Sequence, residues 1–316
     1  MAKGRNATAE GRDGAKAVSR SGNSAGAQPS DRVGRSKPAG GLYLVATPIG
    51  NVGDISLRAL EVLRGAAVVA CEDTRVTGKL FALLGLAAPL TPYHEHNAER
   101  ARPALLARLR EGQVVALVSD AGTPLVSDPG YRLVRACIDE GLPVTAVPGA
   151  SAALTALQLA GLPTDRFLFA GFPPSRSAAR RAALAEVAAV PATLVFYESA
   201  RRLAEALGDM AAVLGDRRAA VARELTKLFE EVRRGTLAGL AAHYAAAGPP
   251  KGEVVIVVEG PGAAAPVAAD LDAALRAALR HASLRDAAAT VAAATGLPRR
   301  EVYARALELA GGEEPG

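Results

Sequence analysis

A chain of 316 residues, half of them hydrophobic but without a single Trp, has the length for two domains and a small third, their cores made of Ala, Leu and Val. Two distant cysteines, Cys71 and Cys137, exclude a disulfide framework or a zinc knuckle and fit a reducing cytoplasm, and no apolar run reaches the ~18 residues of a membrane span. The net charge of +5 does not spread over the whole molecule: residues 1–40 hold eight of the 37 Lys and Arg and three of the 32 acids, which leaves 29 of each.

Residues 1–40 are Gly, Ser, Ala, Arg and Lys with almost no large apolar side chain, too little to offset the entropy of ordering, so a disordered basic tail is expected. It reads as an arm that tethers RNA, as a solvated tail, or as a misassigned start. From Gly41 short apolar runs alternate with helical ones. Leu42–Thr47, Ala67–Cys71, Val114–Ser119 and Pro143–Val147 are predicted strands; Ser56–Leu63 and Glu99–Arg110 are predicted helices, the second capped by Asn97. Continuous apolar strands between helices predict a mostly parallel sheet covered on both faces, over residues 41–150, with ligands beyond the strands' carboxyl ends.

A second α/β lobe is predicted over 151–262. Its strands are Arg166–Gly171, Thr193–Tyr197, Ala219–Leu225 and Glu253–Glu259, and its helices Ala178–Val187, Arg201–Leu214 and Leu237–Ala246. After an Ala/Pro linker, Leu284, Ala288 and Val291, then Gly296-Leu297-Pro298, then Val302 and Ala306 outline a helix-turn-helix unit within 268–312.

Four polar, glycine-bearing loops follow predicted strands: Thr47-Pro48-Ile49-Gly50-Asn51, Glu72-Asp73-Thr74-Arg75, Ser119–Gly130, and Pro148-Gly149-Ala150-Ser151. Gly and Pro punctuate strand-to-helix turns in any α/β protein. Four such loops at one edge would instead make a cleft lined by backbone amides, hydroxyls and the acids Glu72, Asp73, Asp120 and Asp128. A helix N-cap accounts for Asp128, before Pro129, but poorly for Asp120 at the strand's very end. The phosphate loop GxxxxGK[ST], a GxGxxG after the first strand and the GxSxG elbow are all absent, so ATP, NAD and serine-hydrolase chemistry lose their usual support. No dedicated metal motif is present, and no metal is assigned. These residues by themselves imply an α/β enzyme or ligand-binding protein with a cleft between two lobes.

The strings LYLVATPIGNVGD (Leu42–Asp54), EDTR (Glu72–Arg75), SDAGTPLVSDPG (Ser119–Gly130), AGLPTDRFLF (Ala160–Phe169), FYES (Phe196–Ser199), ARELTK (Ala222–Lys227) and GEVVIVVEG (Gly252–Gly260), in this order, resemble the tetrapyrrole-methylase superfamily. Within it they are most similar to the ribosomal small-subunit methyltransferase I branch, over roughly residues 41–312. The resemblance implies a two-lobed class III S-adenosylmethionine methyltransferase fold with a C-terminal helix-turn-helix-like unit, working as a homodimer. It also implies S-adenosylmethionine folded in the cleft, with 16S ribosomal RNA or the 30S subunit methylated on the ribose 2′-oxygen of a decoding-centre cytidine.

Carried over position by position, the cofactor contacts fall at Pro48, Asp120, Gly122, Thr123, Ala150, Ser151, Tyr197 and Ala222. Tyr197 reads equally as a core aromatic with a satisfied hydroxyl. Candidates for managing the substrate's proton are Glu72, Asp73, Glu198, Glu224 and Lys227; the rival reading makes Glu72–Arg75 and Glu224–Lys227 ion pairs that brace their own loops.

Candidate RNA patches are His94–Asn97 with Arg100 and Arg102, then Arg176, Arg180 and Arg181 on a segment that reads as mobile. The third is the tail, with Arg276, Arg280, Arg285, Arg299, Arg300 and Arg305. Arginine as a plain solubilising residue is the alternative. A macrocycle or protein-histidine methyltransferase on the same fold, or a non-catalytic nucleic-acid-binding protein, are the other functional classes.

Overall fold

The structure is a computed structural model that describes residues 37–261, 268–295 and 297–311. The expected basic tail, up to residue 36, lies outside the described residues, as do Gly262, most of the linker and Gly296 of the expected tight turn.

The first lobe is a parallel sheet of β1 (Gly41–Val45), β2 (Val68–Cys71), β3 (Leu90–Pro92), β4 (Val114–Val118) and β5 (Val144–Val147), in the order β3-β2-β4-β1-β5. Strand side chains alternate between faces, so β4 needs apolar residues throughout. Its Val114, Ala116 and Val118 pack with Ala59, Val62 and Leu63 of α1 (Leu57–Gly65) and Phe81 of α2 (Thr74–Leu84). Val115 and Leu117 pack on the other face with Leu105, Leu106 and Leu109 of α3 (Ala98–Arg110) and Leu133 of α4 (Tyr131–Asp139). Cys71 and Cys137 are buried in different layers and both are free thiols. Because the five strands run the same way, the segments after β1, β2, β4 and β5 all leave from one edge, the arrangement predicted for the four polar loops.

From β5 the chain passes through α5 (Ala152–Ala160) into the second lobe. Its sheet has the order β6-β7-β10-β8-β9, from β6 (Phe167–Phe169), β7 (Thr193–Ser199), β8 (Arg218–Arg223), β9 (Glu231–Thr236) and β10 (Glu253–Val258). Only the β6–β7 pair is parallel. Helices α6 (Ser177–Val187), α7 (Leu203–Leu214) and α8 (Leu237–Ala247) cover one face, while Ala153, Ala156, Leu157 and Ala160 of α5 cover the other. Ile49, from the loop after β1, is buried in that second layer with Ala222 and Val255, so the two lobes share apolar contact at the base of the cleft.

Helices α9 (Ala268–Leu279), α10 (Leu284–Thr295) and α11 (Arg299–Gly311) form a C-terminal unit around Leu275, Ala288, Val291, Val302 and Ala306. The two helices on either side of the turn are those predicted; α9 is additional. No helix among the described residues is long and apolar enough to cross a membrane.

Several expectations need correction. Asn97 stands at the start of α3 without capping it, because its side chain turns back to accept from the His94 amide (2.8 Å) and to donate to the Pro92 carbonyl (2.9 Å). Asp128 caps nothing: α4 starts after Gly130, whose φ of +137° and contact with Leu117, 2.6 Å from where a Cβ would stand, demand glycine. Arg180 is no surface patch. It is 1% exposed and donates to Asp209 (2.7 Å) and the Ser175 carbonyl (3.1 Å), while Arg181 pairs with the same Asp209. Buried charge survives only when matched in this way.

Candidate active site

The loops after β1, β4 and β5 and the second sheet enclose a cleft of about 800 Å³. Of the residues singled out for a cofactor, Asp120, Gly122, Thr123, Ser151, Tyr197 and Ala222 line it; Pro48 and Ala150 do not, although Ile49 beside Pro48 does. The Ala150 carbonyl instead accepts from the Thr123 hydroxyl (3.1 Å) and ties two of the loops together. A second tie is the backbone bridge between Thr47 and Gly122, supported by the Thr47 hydroxyl donating to the Ser119 carbonyl (3.0 Å).

All four non-glycine residues with left-handed φ among the described residues belong to two loops beside this cleft: Leu125 (71°), Ser127 (63°), Glu224 (50°) and Thr226 (64°). Each such residue costs about 1–3 kcal/mol and persists only where its surroundings fix it. At the second loop the fixing groups are visible. The Thr226 hydroxyl accepts from the Asn51 amide (3.0 Å) across the lobes, and the Thr226 amide donates to Glu230 (2.6 Å). Gly252, at φ +96°, leaves room for Glu224, whose Oε1 lies 2.2 Å from where a Cβ would stand.

The cleft's two walls differ in charge. The first lobe presents Asp120 and Asp128 and no Lys or Arg; the second presents Arg201, Lys227 and Lys251 together with the carboxylates Glu198 and Glu253. Burial, and then the neighbouring Asp120, push the Asp128 carboxyl above its ordinary range. Glu72 is raised for the same reasons, with Asp128 adding to the effect, but it lies outside the cleft lining. Asp73 also lies outside it. Its carboxylate caps α2 through the Arg75 amide (2.8 Å) and takes the Arg75 guanidinium (2.6 Å), and these hydrogen bonds lower it to about 2. Asp120 braces this loop too, its Oδ1 accepting from the Asp73 amide (3.1 Å).

Glu198 and Lys227 do line the cleft, and both are already paired. Glu198 is buried against Arg202 (2.6 Å) and accepts from the Ser199 amide (2.6 Å). Lys227 Nζ sits 2.8 Å from both Glu224 and Glu253; burial opposes its charge, but the two carboxylates outweigh that and hold its pKa above the ordinary lysine value. Lys227 is therefore a fixed cation and no base at neutral pH. Tyr197 belongs both to the cleft lining and to the apolar layer behind it. Its ring lines the cleft between Phe169 (4.8 Å) and Phe172 (5.3 Å).

Residues 41–241 match the family profile described as Tetrapyrrole (Corrin/Porphyrin) Methylases, and residues 265–310 match that of the RsmI C-terminal HTH domain. Ribosomal RNA small subunit methyltransferase I of Mesorhizobium japonicum is 55% identical over 269 residues, covering 85% of this chain and 92% of the relative. The chain belongs to the ribosomal RNA small subunit methyltransferase I family. The Escherichia coli O157:H7 relative of that name is 47% identical over 275 residues, covering 86% of this chain and 96% of its own. Among solved structures, diphthine synthase is similar at a TM-score of 0.52 with 19% identity, covering 69% of this chain and 89% of its own. A cobalt precorrin-4 methyltransferase is similar at 0.50 with 20% identity, covering 69% and 94%. At that identity the likeness is one of fold.

The methyltransferase's cleft also includes residues outside the motifs singled out in its sequence. Phe172, Arg201 and the Pro249–Gly252 segment all line it. The string Gly248-Pro249-Pro250-Lys251-Gly252 before β10 was the available signal, a rigid turn with a cation at its tip.

Proposed function

We propose that the chain transfers a methyl group from S-adenosylmethionine to the ribose 2′-oxygen of a decoding-centre cytidine in 16S ribosomal RNA. The reading is carried by the cleft's charge: a first-lobe wall with acids, no Lys or Arg and no phosphate-gripping loop faces a wall whose three cations stand beside Glu198 and Glu253, both engaged in ion pairs. S-adenosylmethionine has no phosphate and carries a positive sulfonium, so the acidic wall suits it; an RNA strand is polyanionic, so Arg201 and Lys251 suit its backbone. The cleft's volume and its mixture of apolar, hydroxyl and carboxylate groups fit a nucleoside joined to an amino acid.

The proposed cofactor contacts are Asp120, Gly122, Thr123, Ser151, Tyr197 and Ala222, which line the cleft; Pro48 and Ala150, which do not, hold Ile49 and Thr123 in place beside it. The bound cofactor supplies a methyl carbon whose bond to sulfur breaks as the bond to oxygen forms. The chain contributes chiefly alignment, through loops whose strained backbone is fixed from both lobes. Lys227, held protonated, stabilises negative charge developing on the ribose oxygen, and the proton leaves to water. The protein acts as a homodimer in the cytoplasm. Exposed Leu228 and Phe229, beside the Lys227 loop, support a subunit contact there.

The test is transfer of tritiated methyl to undermethylated 30S subunits and to protein-free 16S RNA, with the labelled nucleotide mapped. Label on the ribose of one decoding-centre cytidine is expected. Label on a base or on a ribosomal protein, or no label on either substrate, would overturn the assignment. A solution mass near that of one 32.2 kDa chain would overturn the dimer.

A further inference from the structure

The six tail arginines singled out in the sequence do not share one environment. Arg305 is engaged: its guanidinium makes two hydrogen bonds to Asp272 (2.7 and 2.8 Å) and reaches Glu308 (2.6 Å), locking α11 to α9. Arg285, Arg299 and Arg300 behave differently. All three are exposed, none makes an ion pair among the described residues, and together with Tyr303 they line one shallow concavity. Arg285 comes from the first turn of α10 and the other three from the first turns of α11, so one surface is assembled from both sides of the turn. Two acids stand nearby, Asp286, which accepts from the Ser283 hydroxyl (2.7 Å), and the exposed Glu301, and neither pairs with these arginines among the described residues.

Exposed like charges side by side repel one another and give the fold nothing. The unit's stability comes instead from Leu275, Ala288, Val291, Val302 and Ala306 beneath. Three convergent guanidiniums present planar forks that match phosphate oxygens, and a tyrosine 39% exposed among them offers an aromatic face.

We propose that this concavity is an RNA-backbone site, in which Arg285, Arg299 and Arg300 bind consecutive phosphodiesters and the Tyr303 ring stacks on an unpaired base. It rests on the reading of the chain as a ribosomal RNA methyltransferase and adds to it a second contact with the substrate, remote from the chemistry. Phosphate contacts hold the nucleic acid without selecting its sequence, so the site contributes affinity, and the cleft positions and chooses the nucleotide.

The full-length protein carrying R285E, R299E and R300E is compared with wild type for binding to protein-free 16S RNA and to 30S subunits across a salt series. Affinity for both is expected to fall about tenfold or more, and the slope of log K against log salt to flatten by about 2. Y303L is expected to weaken binding about fivefold or more with the slope unchanged. S-adenosylhomocysteine affinity and the single-turnover rate at saturating 30S stay at wild-type values. Unchanged RNA affinity and slope in the triple variant would overturn the proposal. A loss confined to 30S subunits, with protein-free RNA bound as before, would overturn it in favour of a ribosomal-protein partner. Wild-type protein that labels neither substrate refutes the activity instead, a result read separately from the variants.

Discussion

Asp120 performs two tasks that substitutions can separate. One carboxylate oxygen holds the Asp73 amide and so the loop after β2, while its charge faces the cleft. Asp120→Asn keeps an acceptor for the amide and loses the charge. It should weaken S-adenosylmethionine about ten- to hundredfold, as for a lost charged hydrogen bond, yet leave S-adenosylhomocysteine, which lacks the sulfonium, much less affected. Asp120→Ala should weaken both, and calorimetry with the two ligands distinguishes the cases.

Asp128 sharpens the same point through pH. Its raised pKa means that its stabilising contribution is complete below the unfolded value near 3.8 and is lost as pH rises through the folded value. The ionised form that the fold disfavours is the one a sulfonium prefers. Asp128→Asn should therefore gain thermal stability over wild type as pH climbs from about 4 towards neutrality, and lose the rise in the S-adenosylmethionine to S-adenosylhomocysteine affinity ratio across that window. A melting difference independent of pH would show that Asp128 does not titrate there. Asp73, lowered to about 2 by Arg75, loses its contribution only as pH falls below the unfolded value near 3.8, so it adds no slope towards neutrality.

Among elements, the interior strands and the long helices were legible because burial on both faces imposes continuous apolar runs, as in Val114–Val118 and Glu253–Val258. Two edge strands were not. β3 is three residues ending in Pro92, too short for periodicity to register. β9 reads EVRRGT, with no apolar residue but Val232, because it pairs along one side only, with β8, and faces water. In the cleft, the four loops were legible as strand-end punctuation, but which residue of each points inward was not, since Ile49 and Pro48 or Ala150 and Ser151 differ by one step of backbone.

The Arg180–Asp209 pair was read wrongly for a related reason: nothing in SRSAARR tells a buried arginine from an exposed one. That pair joins α6 to α7. Arg180→Ala strips Asp209, 5% exposed, of its most buried partner and frees the Ser175 carbonyl. Ser177 and Arg181 still bond Asp209, so a loss of about 3 kcal/mol is expected, at the low end for a broken buried pair, measured as a shift in denaturant midpoint. Arg180→Lys should recover little, because an ammonium cannot hold the carboxylate and two carbonyls in one plane.

At the scale of the molecule, among the described residues, the buried core of α9–α11 comes from those helices, and the two lobes' cores contain none of their residues. Truncation after Pro261 should leave the melting midpoint of the two-lobed unit and its S-adenosylhomocysteine affinity unchanged. A substantial fall in that midpoint would mean the helices stabilise the lobes.

The strand order carries one further implication, for synthesis. β1 takes its hydrogen bonds from β4 and β5, not from the β2 that follows it. As the chain emerges from the ribosome at ~5–20 residues per second, the apolar segment Gly41–Val45 waits roughly 5–20 s before Val147 has been made and its second neighbour can dock. Until Val118 has been made, a strand that ends up at the interior of the sheet has two open edges, and one stays open until Val147. The nascent first lobe is therefore the stage at which this protein most needs a chaperone's cover, and slow codons placed before residue 147 would lengthen its exposure.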